Sequence, residues 1–586
     1  MPACTESPAK ALRRTHEFPG ELGKLIARDS LLLNELGWER FVRERRGRGD
    51  IQELDELNHP AKDILTRLKI DGAPAVMQTP PWSMERLQAA MARGPHKSAI
   101  EHADFLREEF VDMINKDQWV VLPFEQVKLL PNLRVSPPGV IPQNGRRPRW
   151  IGDWSYYGVN DDTVPLAPQD AMQYGRALDR YLRQIVVADQ DKHGPVYQIK
   201  GDVSDGYYRV GMNPRHVPSM GLVFPSFDDG TWLVAFPLVL GMGWRDSAPY
   251  FCAFTETVAD LANEALSPTS ANHKWMSTPH EMDERAAEVG DRLQPPRSKQ
   301  DAVPTTDVVA RDPGLRRARP KPAAYYDVFV DDFIALAQGS RSRLRKCRRV
   351  LFHALDSIFR PPDEHDSSYR QHPLSQKKLR KGDCCWATKR EILGWIVDTV
   401  AMTISLPQRR VDKLRATLAS IPVTQKRIAA QRWQQVIGEL RSVAIALPGA
   451  RGLFSHMQRA LRDKAPGARI KLSAKAHDEL NDFRWLQKEV CKRPTRIQEI
   501  VPLEPSAYGP HDASGIGAGG VIFPSQNVRP RLLEDGTEPD GSQPVLWRAL
   551  FPDEIRNRLV SDRNPTGTIT NSDLELVGGL LHRECA

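Results

Sequence analysis

The feature that most constrains this chain is a pair of adjacent carboxylates between two apolar, β-prone runs. With no glycine or proline inside it, the segment reads Tyr325–Tyr326–Asp327–Val328–Phe329–Val330–Asp331–Asp332–Phe333–Ile334–Ala335–Leu336. This pattern predicts a strand, a tight turn at Asp331–Asp332 and a return strand. Two carboxylates at one tip repel each other, so they need a positive partner, and Mg²⁺ is a cation that carboxylates bind well. The alternative is an acidic turn at a sheet edge, where charge discourages strand pairing.

A metal site of this kind needs a third carboxylate from a neighbouring strand. Upstream of the hairpin, the β-prone run Tyr197–Val203 predicts such a strand, and Asp202 lies where it would end. Asp205 follows three residues later, ahead of Tyr207. A D-x-x-D pattern alone is common in turns and helix caps. Its position upstream of the hairpin makes Asp202 the candidate third ligand.

Two further segments have residues suited to binding a nucleotide. The run Leu240–Phe251 contains Gly241 and Gly243, which let backbone approach a ligand closely. Its Ser247–Ala248–Pro249 predicts the start of a helix. Further upstream, the run Arg147–Ser155 is basic, and Arg149 could bind a triphosphate as a bidentate donor.

These segments occur in an order that resembles the reverse transcriptases of retroelements, across residues 98–410. The hairpin resembles the catalytic hairpin of that family, the Asp202 segment its first palm motif, and the glycine segment its second. Arg147–Ser155 resembles the fingers segment, and Ile392–Trp395 the primer-grip strand. Met242 departs from the pattern, because retroviral members often have glutamine there. The polar insertion before the hairpin and the helical run after it look most like DIRS-type retrotransposons.

The resemblance implies roles for individual residues. Asp202, Asp331 and Asp332 would hold two Mg²⁺ ions, for which Mn²⁺ can substitute, and would be the catalytic residues. The residues implied at the incoming nucleotide are Arg149, Asp205, Tyr207 and Gly243. The palm lysine of the family stays open, since Lys377, Lys378 and Lys381 compete for it.

The end of the chain has a second resemblance. The glycine-rich run Ala507–Val521 and the segment Asn571–Leu576 resemble parts of a ribonuclease H fold. This implies that Asp512 is its first metal ligand and Glu575 its helical glutamate. Two more acidic ligands are expected further along, but the sequence stops at Ala586. We therefore expect this domain to be truncated and inactive, because a site with half its carboxylates holds metal poorly.

The composition limits the number of domains and the class of protein that this chain can form. With 586 residues, 40% hydrophobic and 27% charged, the chain can form roughly three to five ordinary domains. The longest apolar run, Leu233–Trp244, is far shorter than the roughly 20 residues of a spanning helix. We therefore expect a soluble protein with no membrane partner, located inside the cell in the cytoplasm, the nucleus or both.

Charge and cysteine content add two further constraints. The net charge of +8 is mild. However, arginines cluster in four places, at residues 43–48, 146–149, 311–321 and 341–349. One such cluster is typical of a solvated face, whereas several together favour a phosphate-lined channel. The seven cysteines show no C-x-x-C spacing, which argues against a disulfide scaffold or a zinc module.

Together these observations predict an α+β multidomain protein, a right-hand polymerase of fingers, palm and thumb followed by a partial ribonuclease H-like α/β domain. The expected activity is template-directed DNA synthesis by a retrotransposon reverse transcriptase. Its partners would be a primed RNA or DNA template and deoxynucleoside triphosphates. The resemblance also allows other retroelement proteins as partners. The alternative is a catalytically dead nucleic-acid-binding fragment of a decayed element. The expected domains are 1–97 (accessory, partly disordered), 98–256 (fingers and first part of the palm), 257–322 (flexible insertion), 323–407 (rest of the palm), 408–500 (helical thumb or connection) and 501–586 (truncated ribonuclease H-like).

Overall fold

The structure is a computed structural model, and it divides into two compact units. It describes residues 18–47, 49, 54, 57–143, 145–267, 273–293, 321–445, 447, 450–462, 464–465, 467–501, 507–524, 544–561 and 564–585. Unit 1 comprises residues up to Tyr181, His193–Gln294 and Ala323–Gly394. Unit 2 comprises Leu182–Lys192, Pro295–Pro322 and Trp395–Ala586.

Unit 1 begins with helices and continues as a mixture of helices and strands. Its first helices are α1 (Gly20–Leu36), α2 (Trp38–Arg46), α3 (Lys62–Asp71), α4 (Met84–Arg93), α5 (Lys97–Glu101) and α6 (Ala103–Asn115). After them come β1 (Trp119–Pro123), α7 (Phe124–Val127), β2 (Val135–Ser136), β3 (Pro138–Gln143), β4 (Arg146–Gly152) and α8 (Val159–Asp162). Helix α6 is amphipathic and buries Leu106, Phe110, Met113 and Ile114.

The centre of unit 1 is a three-stranded antiparallel sheet in the order β5-β9-β8. Its strands are β5 (Tyr197–Asp202), β8 (Ala324–Phe329) and β9 (Asp332–Ala337). The hairpin expected from the sequence is therefore confirmed, but its turn lies one residue earlier than predicted, at Val330–Asp331. Asp332 opens the return strand instead of occupying the turn.

A second sheet and a separate hairpin flank this centre. Strands β6 (Gly221–Phe224) and β7 (Leu233–Pro237) join β1 and β2 in the order β1-β7-β6-β2. All five residues of β7 are buried, which accounts for its continuous apolar sequence. Strands β3 and β4 form an antiparallel pair of their own.

Helix α11 (Ser247–Ala265) covers the outer edge of the three-stranded sheet. Its Asn263 side chain donates to the carbonyl of Tyr326 at 2.8 Å and accepts from the Tyr326 amide at 3.0 Å. The side-chain amide thus satisfies backbone groups on the free edge of β8. Residues are buried around most of α11, which is why it carries few charges.

The expected flexible insertion at 257–322 is wrong for its first part. Residues 257–265 complete α11, and two further helices follow, α12 (Lys274–Ser277) and α13 (Glu281–Val289). Helix α13 folds because Asp283 pairs with α14 (Arg341–Ile358): its carboxylate accepts from Arg348 at 2.7 Å and from Arg345 at 2.9 Å. Part of the 341–349 basic cluster is therefore used internally. Residues 294–320 lie outside the described residues.

Unit 1 ends with short elements, α15 (Gln376–Arg380) and β10 (Lys389–Ile392). The strand expected at Ile392–Trp395 is not continuous. Leu393 and Gly394 have φ of 47° and 78°, so the chain turns there before β11 (Trp395–Asp398) begins. An extended strand cannot continue through two residues with positive φ.

Unit 2 is helical in its first half and mixed in its second. Helices α9 (Ala177–Val186) and α10 (Gln190–His193) are divided between the two units. The remaining helices are α16 (Gln408–Ala419), α17 (Ala430–Ala444), α18 (Ser455–Arg459), α19 (Ala474–Lys492), α20 (Asp553–Arg556) and α21 (Asn571–Cys585). The strands are β12 (Thr403–Ser405), β13 (Arg427–Ala429), β14 (Arg469–Lys471), β15 (Thr495–Arg496), β16 (Ala507–Tyr508), β17 (His511–Ala513), β18 (Gly517–Pro524) and β19 (Val545–Leu550).

Helix α17 lies in the region expected to be helical and has a regular apolar stripe. Trp433, Val436, Ile437 and Leu440 are buried on one face of this helix. Further along, β18 pairs antiparallel with β16, β17 and β19. Among the helices that the structure describes, none combines the length and the apolar character needed to cross a lipid bilayer.

Candidate active site

The sheet register brings two of the three predicted carboxylates together. Asp202 is the last residue of β5 and Asp332 the first of β9, and the two are directly opposed in the antiparallel pair. Directly opposed side chains lie on the same face of a sheet, about 5 Å apart at Cβ. Residues distant in sequence therefore converge at one end of the sheet.

The hairpin turn holds the third carboxylate, Asp331, beside them. The backbone carbonyl of Asp331 accepts a hydrogen bond from the amide of Val203 at 3.2 Å, which ties the turn to the end of β5. Val330 completes the turn with φ of 61°. A β-branched residue rarely adopts this conformation, so the turn is strained at the residue before the carboxylate.

The two carboxyl groups on the hairpin, Asp331 and Asp332, both have raised pKa values. Burial raises the pKa of Asp331, and the neighbouring charge of Asp202 raises it further. Burial and then Asp331 raise the pKa of Asp332 to about 6. Both shifts mean that the cluster holds more negative charge than its surroundings stabilise, which is the electrostatic condition for binding a cation.

Lys378 is the cation that the protein itself supplies. Its Nζ forms a hydrogen bond and ion pair with Asp202 and lies 3.9 Å from Asp332 Oδ1. Burial lowers the pKa of this ammonium group, but the hydrogen bond to Asp202 and the other carboxylates outweigh burial, so the pKa is raised overall. Of the three lysines left open by the sequence, the structure places this one at the carboxylates.

The backbone around Lys378 explains its position. The segment Pro373–Ser375 runs beside the end of β5: Ser375 N donates to the Asp202 carbonyl at 2.9 Å, and Ser204 N donates to the Pro373 carbonyl at 2.8 Å. Helix α15 starts directly after this segment. Sequence reasoning could not select Lys378 because these contacts join residues more than 160 positions apart in a polar loop.

A second network, which the sequence analysis missed, supports β8 from within. Arg180 donates to both carboxylate oxygens of Asp327, at 2.8 Å and 2.6 Å, and Tyr325 donates its hydroxyl to the same carboxylate at 2.6 Å. Asp327 is buried, so this paired arginine offsets the cost of a buried charge. The sequence feature that could have indicated this network is Asp327, an aspartate inside an otherwise apolar run.

The predicted nucleotide-binding residues Arg149 and Gly243 lie on strand β4 and on a loop that approaches β4 closely. Arg149 on β4 is exposed, and its Nη2 lies 3.6 Å from the sulfur of Met242. It is close enough to Asp331 to lower the pKa of that carboxyl, although burial dominates. Gly243 has φ of 107°, and a Cβ there would lie 2.3 Å from the Gly152 carbonyl oxygen. The second glycine of the motif is therefore required by the close approach of β4.

Tyr207 and Asp205 follow β5 on a short 3₁₀ helix, Gly206–Arg209. Asp205 precedes it in the left-handed conformation, with φ of 62°. The Tyr207 ring packs edge-on against Phe251 of α11 at 5.2 Å. Burial, Cys252 and then Asp331 raise the pKa of Tyr207 to about 12, so its ring lies close to the carboxylate cluster.

The donor set fits Mg²⁺. Three carboxylates supply only oxygen atoms, the ligands that this hard cation prefers, and the crowded charges of Asp331 and Asp332 would be relieved by a divalent ion. The residues that would hold it are Asp202, Asp331 and Asp332.

A separate group, His280, Asp356 and His372, places three potential metal-ligand atoms within 4.8 Å of one another. The hydrogen bonds indicate a structural role instead. The Nδ1 of His280 accepts from the Met282 amide and the Nδ1 of His372 from the Leu374 amide, both at 3.1 Å. Each Nε2 therefore carries the proton and faces Asp356, which leaves no imidazole lone pair for a metal.

The predicted ribonuclease H-like residues lie in unit 2. Asp512 is on β17, opposite Gly519 of β18. Glu575 is on α21, which packs on β17 where Gly578 meets His511 and Ala513. Because side chains alternate along a strand, Asp512 faces away from that helix. The structure thus does not bring this predicted pair together.

Similarity to known proteins is confined to solved structures. No protein-family model matches the chain, and no curated protein matches it. Two of the solved structures that are similar to this chain show a foamy viral protease–reverse transcriptase in complex with double-stranded DNA. One of them is a form designated dRH. Both have a TM-score of 0.41, with 11% identity for the dRH form and 12% for the other. The alignments cover 100% of this chain and 74% and 87% of those chains, respectively. A TM-score this low does not establish a shared fold.

Proposed function

We propose that this protein is a template-directed DNA polymerase, a reverse transcriptase that extends a primer on an RNA or DNA template and belongs to a retrotransposon. The observation that carries the proposal is the convergence of Asp202, Asp331 and Asp332 at one end of the central sheet, with raised pKa values for the hairpin pair. An acidic turn at a sheet edge would not need a third carboxylate in register with it.

The chemistry that this site would support is phosphoryl transfer. Bound there, a pair of Mg²⁺ ions activates the attacking hydroxyl and neutralises charge on the triphosphate. Positioning and charge stabilisation then account for most of the catalysis. The chain's own contribution is to hold three carboxylates in fixed register, through β5, β9 and the Val203–Asp331 hydrogen bond.

The surrounding residues would bind the incoming deoxynucleoside triphosphate. The exposed guanidinium of Arg149 suits a phosphate, which it can contact with two donors. Tyr207, held against Phe251, presents a ring that would crowd a ribose 2′-hydroxyl. Asp205 and Gly243 lie on the turn and the loop that flank them. In this proposal Lys378 occupies the carboxylates when no metal is bound.

Two parts of the proposal concern the rest of the chain. Asp512 and Glu575 are a ribonuclease H-like remnant without nuclease activity, since Asp512 faces away from the helix of Glu575. Template selection would come from base pairing, while arginine-rich surfaces bind the backbone with salt-dependent affinity.

Primer extension tests the proposal directly. The purified chain is given an oligo(dT) primer on poly(rA), thymidine triphosphate and either Mg²⁺, Mn²⁺ or EDTA, and the products are resolved by length. Metal-dependent extension supports the proposal. Binding of the primed template without any extension in either metal would instead identify an inactive nucleic-acid-binding protein.

A further inference from the structure

Strands β13 and β14 of unit 2 form a two-stranded antiparallel ribbon whose outer face is basic. Arg427 of β13 lies directly opposite Lys471 of β14, and Arg469 lies two residues before Lys471 on the same strand. The central residues of the two strands, Ile428 and Ile470, oppose each other and are buried. Because side chains alternate along a strand, the three basic residues share the opposite, exposed face.

The backbone of the ribbon is held at both ends. The amide of Leu472 donates to the Lys426 carbonyl at 3.0 Å. At the other end, the amide of Ala430 donates to the Ala468 carbonyl at 2.8 Å. The basic side chains therefore extend into solvent from a backbone that is fixed by hydrogen bonds on either side of them.

The basic side chains on the outer face have no partners of opposite charge. Directly opposed residues of an antiparallel pair have Cβ atoms about 5 Å apart, and like charges in such a pair are destabilising. Among the residues that the structure describes, none forms an ion pair with Arg427, Arg469 or Lys471. Their placement does not stabilise the ribbon, which indicates a ligand of opposite charge.

The excess of positive charge continues in the segment that contains the ribbon. Residues 421–475 include eleven lysines and arginines but only two acidic residues, Glu439 and Asp463. Glu439 forms an ion pair with Lys413, which lies outside this segment. Further exposed cations in the segment are Lys426, Arg432, Arg462, Lys464 and Lys475. None of the four arginine clusters noted in the sequence includes this segment.

The exposure of these charges favours a long polyanion as the ligand. A small anion gains little from exposed cations, because water and salt screen them. A lipid surface is also a poor match, since membrane-binding surfaces combine basic residues with large apolar ones. The fourth residue on the outer face of the ribbon is Ala429. A nucleic-acid duplex has one negative charge for about every 1.7 Å of its axis and needs no apolar contact.

We propose that the β13–β14 ribbon is a binding surface for the phosphate backbone of a double-stranded nucleic acid. Arg427 and Lys471 contact neighbouring phosphates, and Arg469 contacts the next phosphate along the ribbon. Such contacts hold the duplex without reading its sequence. The inference rests on the proposed function only for the identity of the duplex, a primed template, because binding at the ribbon needs neither a metal nor the three carboxylates.

Fluorescence anisotropy of a labelled DNA duplex, titrated with the full-length protein in EDTA at several salt concentrations, tests this proposal. EDTA prevents metal-dependent extension, so binding is measured whether or not the protein is a polymerase. When Arg427→Gln is combined with Lys471→Gln, we expect at least about tenfold weaker binding at about 0.1 M salt. The slope of log affinity against log salt should also become shallower by about two, roughly one for each lost phosphate contact.

The matched control combines Lys24→Gln with Lys97→Gln, which removes two exposed lysines from α1 and α5. This control should bind the duplex as the unaltered protein does. An equal loss of affinity in the control and in the ribbon variant would overturn the proposal, because any two surface charges would then have the same effect. Unchanged affinity and slope in the ribbon variant would also overturn it.

Thermal unfolding separates lost binding from lost folding. Removing two like charges that face each other should leave the unfolding temperature unchanged or raise it. A marked fall would mean that Arg427 and Lys471 stabilise the fold, which contradicts the proposed role. Tighter binding of polyglutamate than of a duplex with the same number of charges would also contradict it, since the ribbon would then be a surface for an acidic protein.

Discussion

Asp202 and Asp332 face each other as a directly opposed pair across two antiparallel strands, with the ammonium group of Lys378 bound to one and 3.9 Å from the other. Lys378 thus offsets part of the negative charge of the carboxylate cluster from within the protein. Like charges directly opposite each other destabilise a sheet, so their placement indicates a function other than stability.

The first prediction concerns Asp331, at the tip of the hairpin. Asp331→Asn removes one charged oxygen ligand while keeping the shape of the side chain, and primer extension should fall by about a hundredfold or more, the order seen when a charge-stabilising group is lost. Binding of a primed template, measured by fluorescence anisotropy, should change little. The exposed Asp228→Asn is the matched control. Unchanged extension by Asp331→Asn would remove this residue from the site.

The second prediction uses Lys378 to detect metal without relying on activity. Lys378→Met leaves the carboxylates without their internal cation, so the metal-free protein should be less stable. Mg²⁺ should then raise the unfolding temperature more in this variant than in the unaltered protein, because the ammonium group no longer competes for Asp202. Differential scanning calorimetry with and without Mg²⁺ measures both effects. An equal response to Mg²⁺ in the two proteins would contradict a shared cation site.

The third prediction concerns the Arg180–Asp327 pair beneath β8. Arg180→Met leaves a buried carboxylate without its partner, and we expect a loss of about 3 kcal/mol in the free energy of unfolding. Asp327→Asn combined with Arg180→Met should recover about 1–2 kcal/mol of that loss, because no charge is then left buried. Urea unfolding of the two single variants and the double variant provides the cycle. Strictly additive losses would show that the pair does not interact energetically.

Local patterns predicted the elements of the site well. The two apolar, β-prone runs on either side of Asp331 and Asp332 predicted both strands of the hairpin, and Ser247–Ala248–Pro249 predicted the start of α11. These features depend on residues that are neighbours in sequence. A β-prone run or a proline in a first helical turn indicates them directly.

Long-range pairing could not be predicted in the same way. The register that opposes Asp202 to Asp332 joins strands about 130 positions apart, and the sequence indicates only that each strand has a carboxylate at one of its ends. Helix α13 was missed because few of its residues are apolar, and the arginines of α14 that pair with Asp283 are about 60 positions away. Lys378 could not be selected from several lysines because the contacts of the preceding segment, Pro373–Ser375, with the end of β5 are long-range.

The fourth prediction concerns the pH dependence of stability through Glu256 of α11. Burial, with Asp327 next, raises its pKa to about 7, from 4.5 in a model compound. The folded protein therefore binds this proton more tightly than the unfolded chain, and the contribution of Glu256 to stability falls as pH rises from about 4.5 to 7. Glu256→Gln mimics the protonated form, so the variant should gain stability relative to the unaltered protein over this range. Unfolding temperatures measured at intervals from pH 4.5 to pH 8 test this, and a constant difference would contradict it.

The last prediction concerns the strained residue beside Asp331 in the hairpin turn. Val330 has φ of 61°, a conformation that costs a residue with a Cβ roughly 1–2 kcal/mol and costs glycine almost nothing. Val330→Gly and Val330→Ala both remove the partly buried isopropyl group, so they differ mainly in this strain. Glycine should therefore be more stable than alanine here by about 1 kcal/mol, the reverse of the usual order in a folded chain. Urea unfolding of the two variants measures the difference, with Val328→Gly and Val328→Ala as the matched pair at a regular strand position. If alanine is the more stable residue at position 330 as well, the turn does not hold residue 330 in the strained conformation.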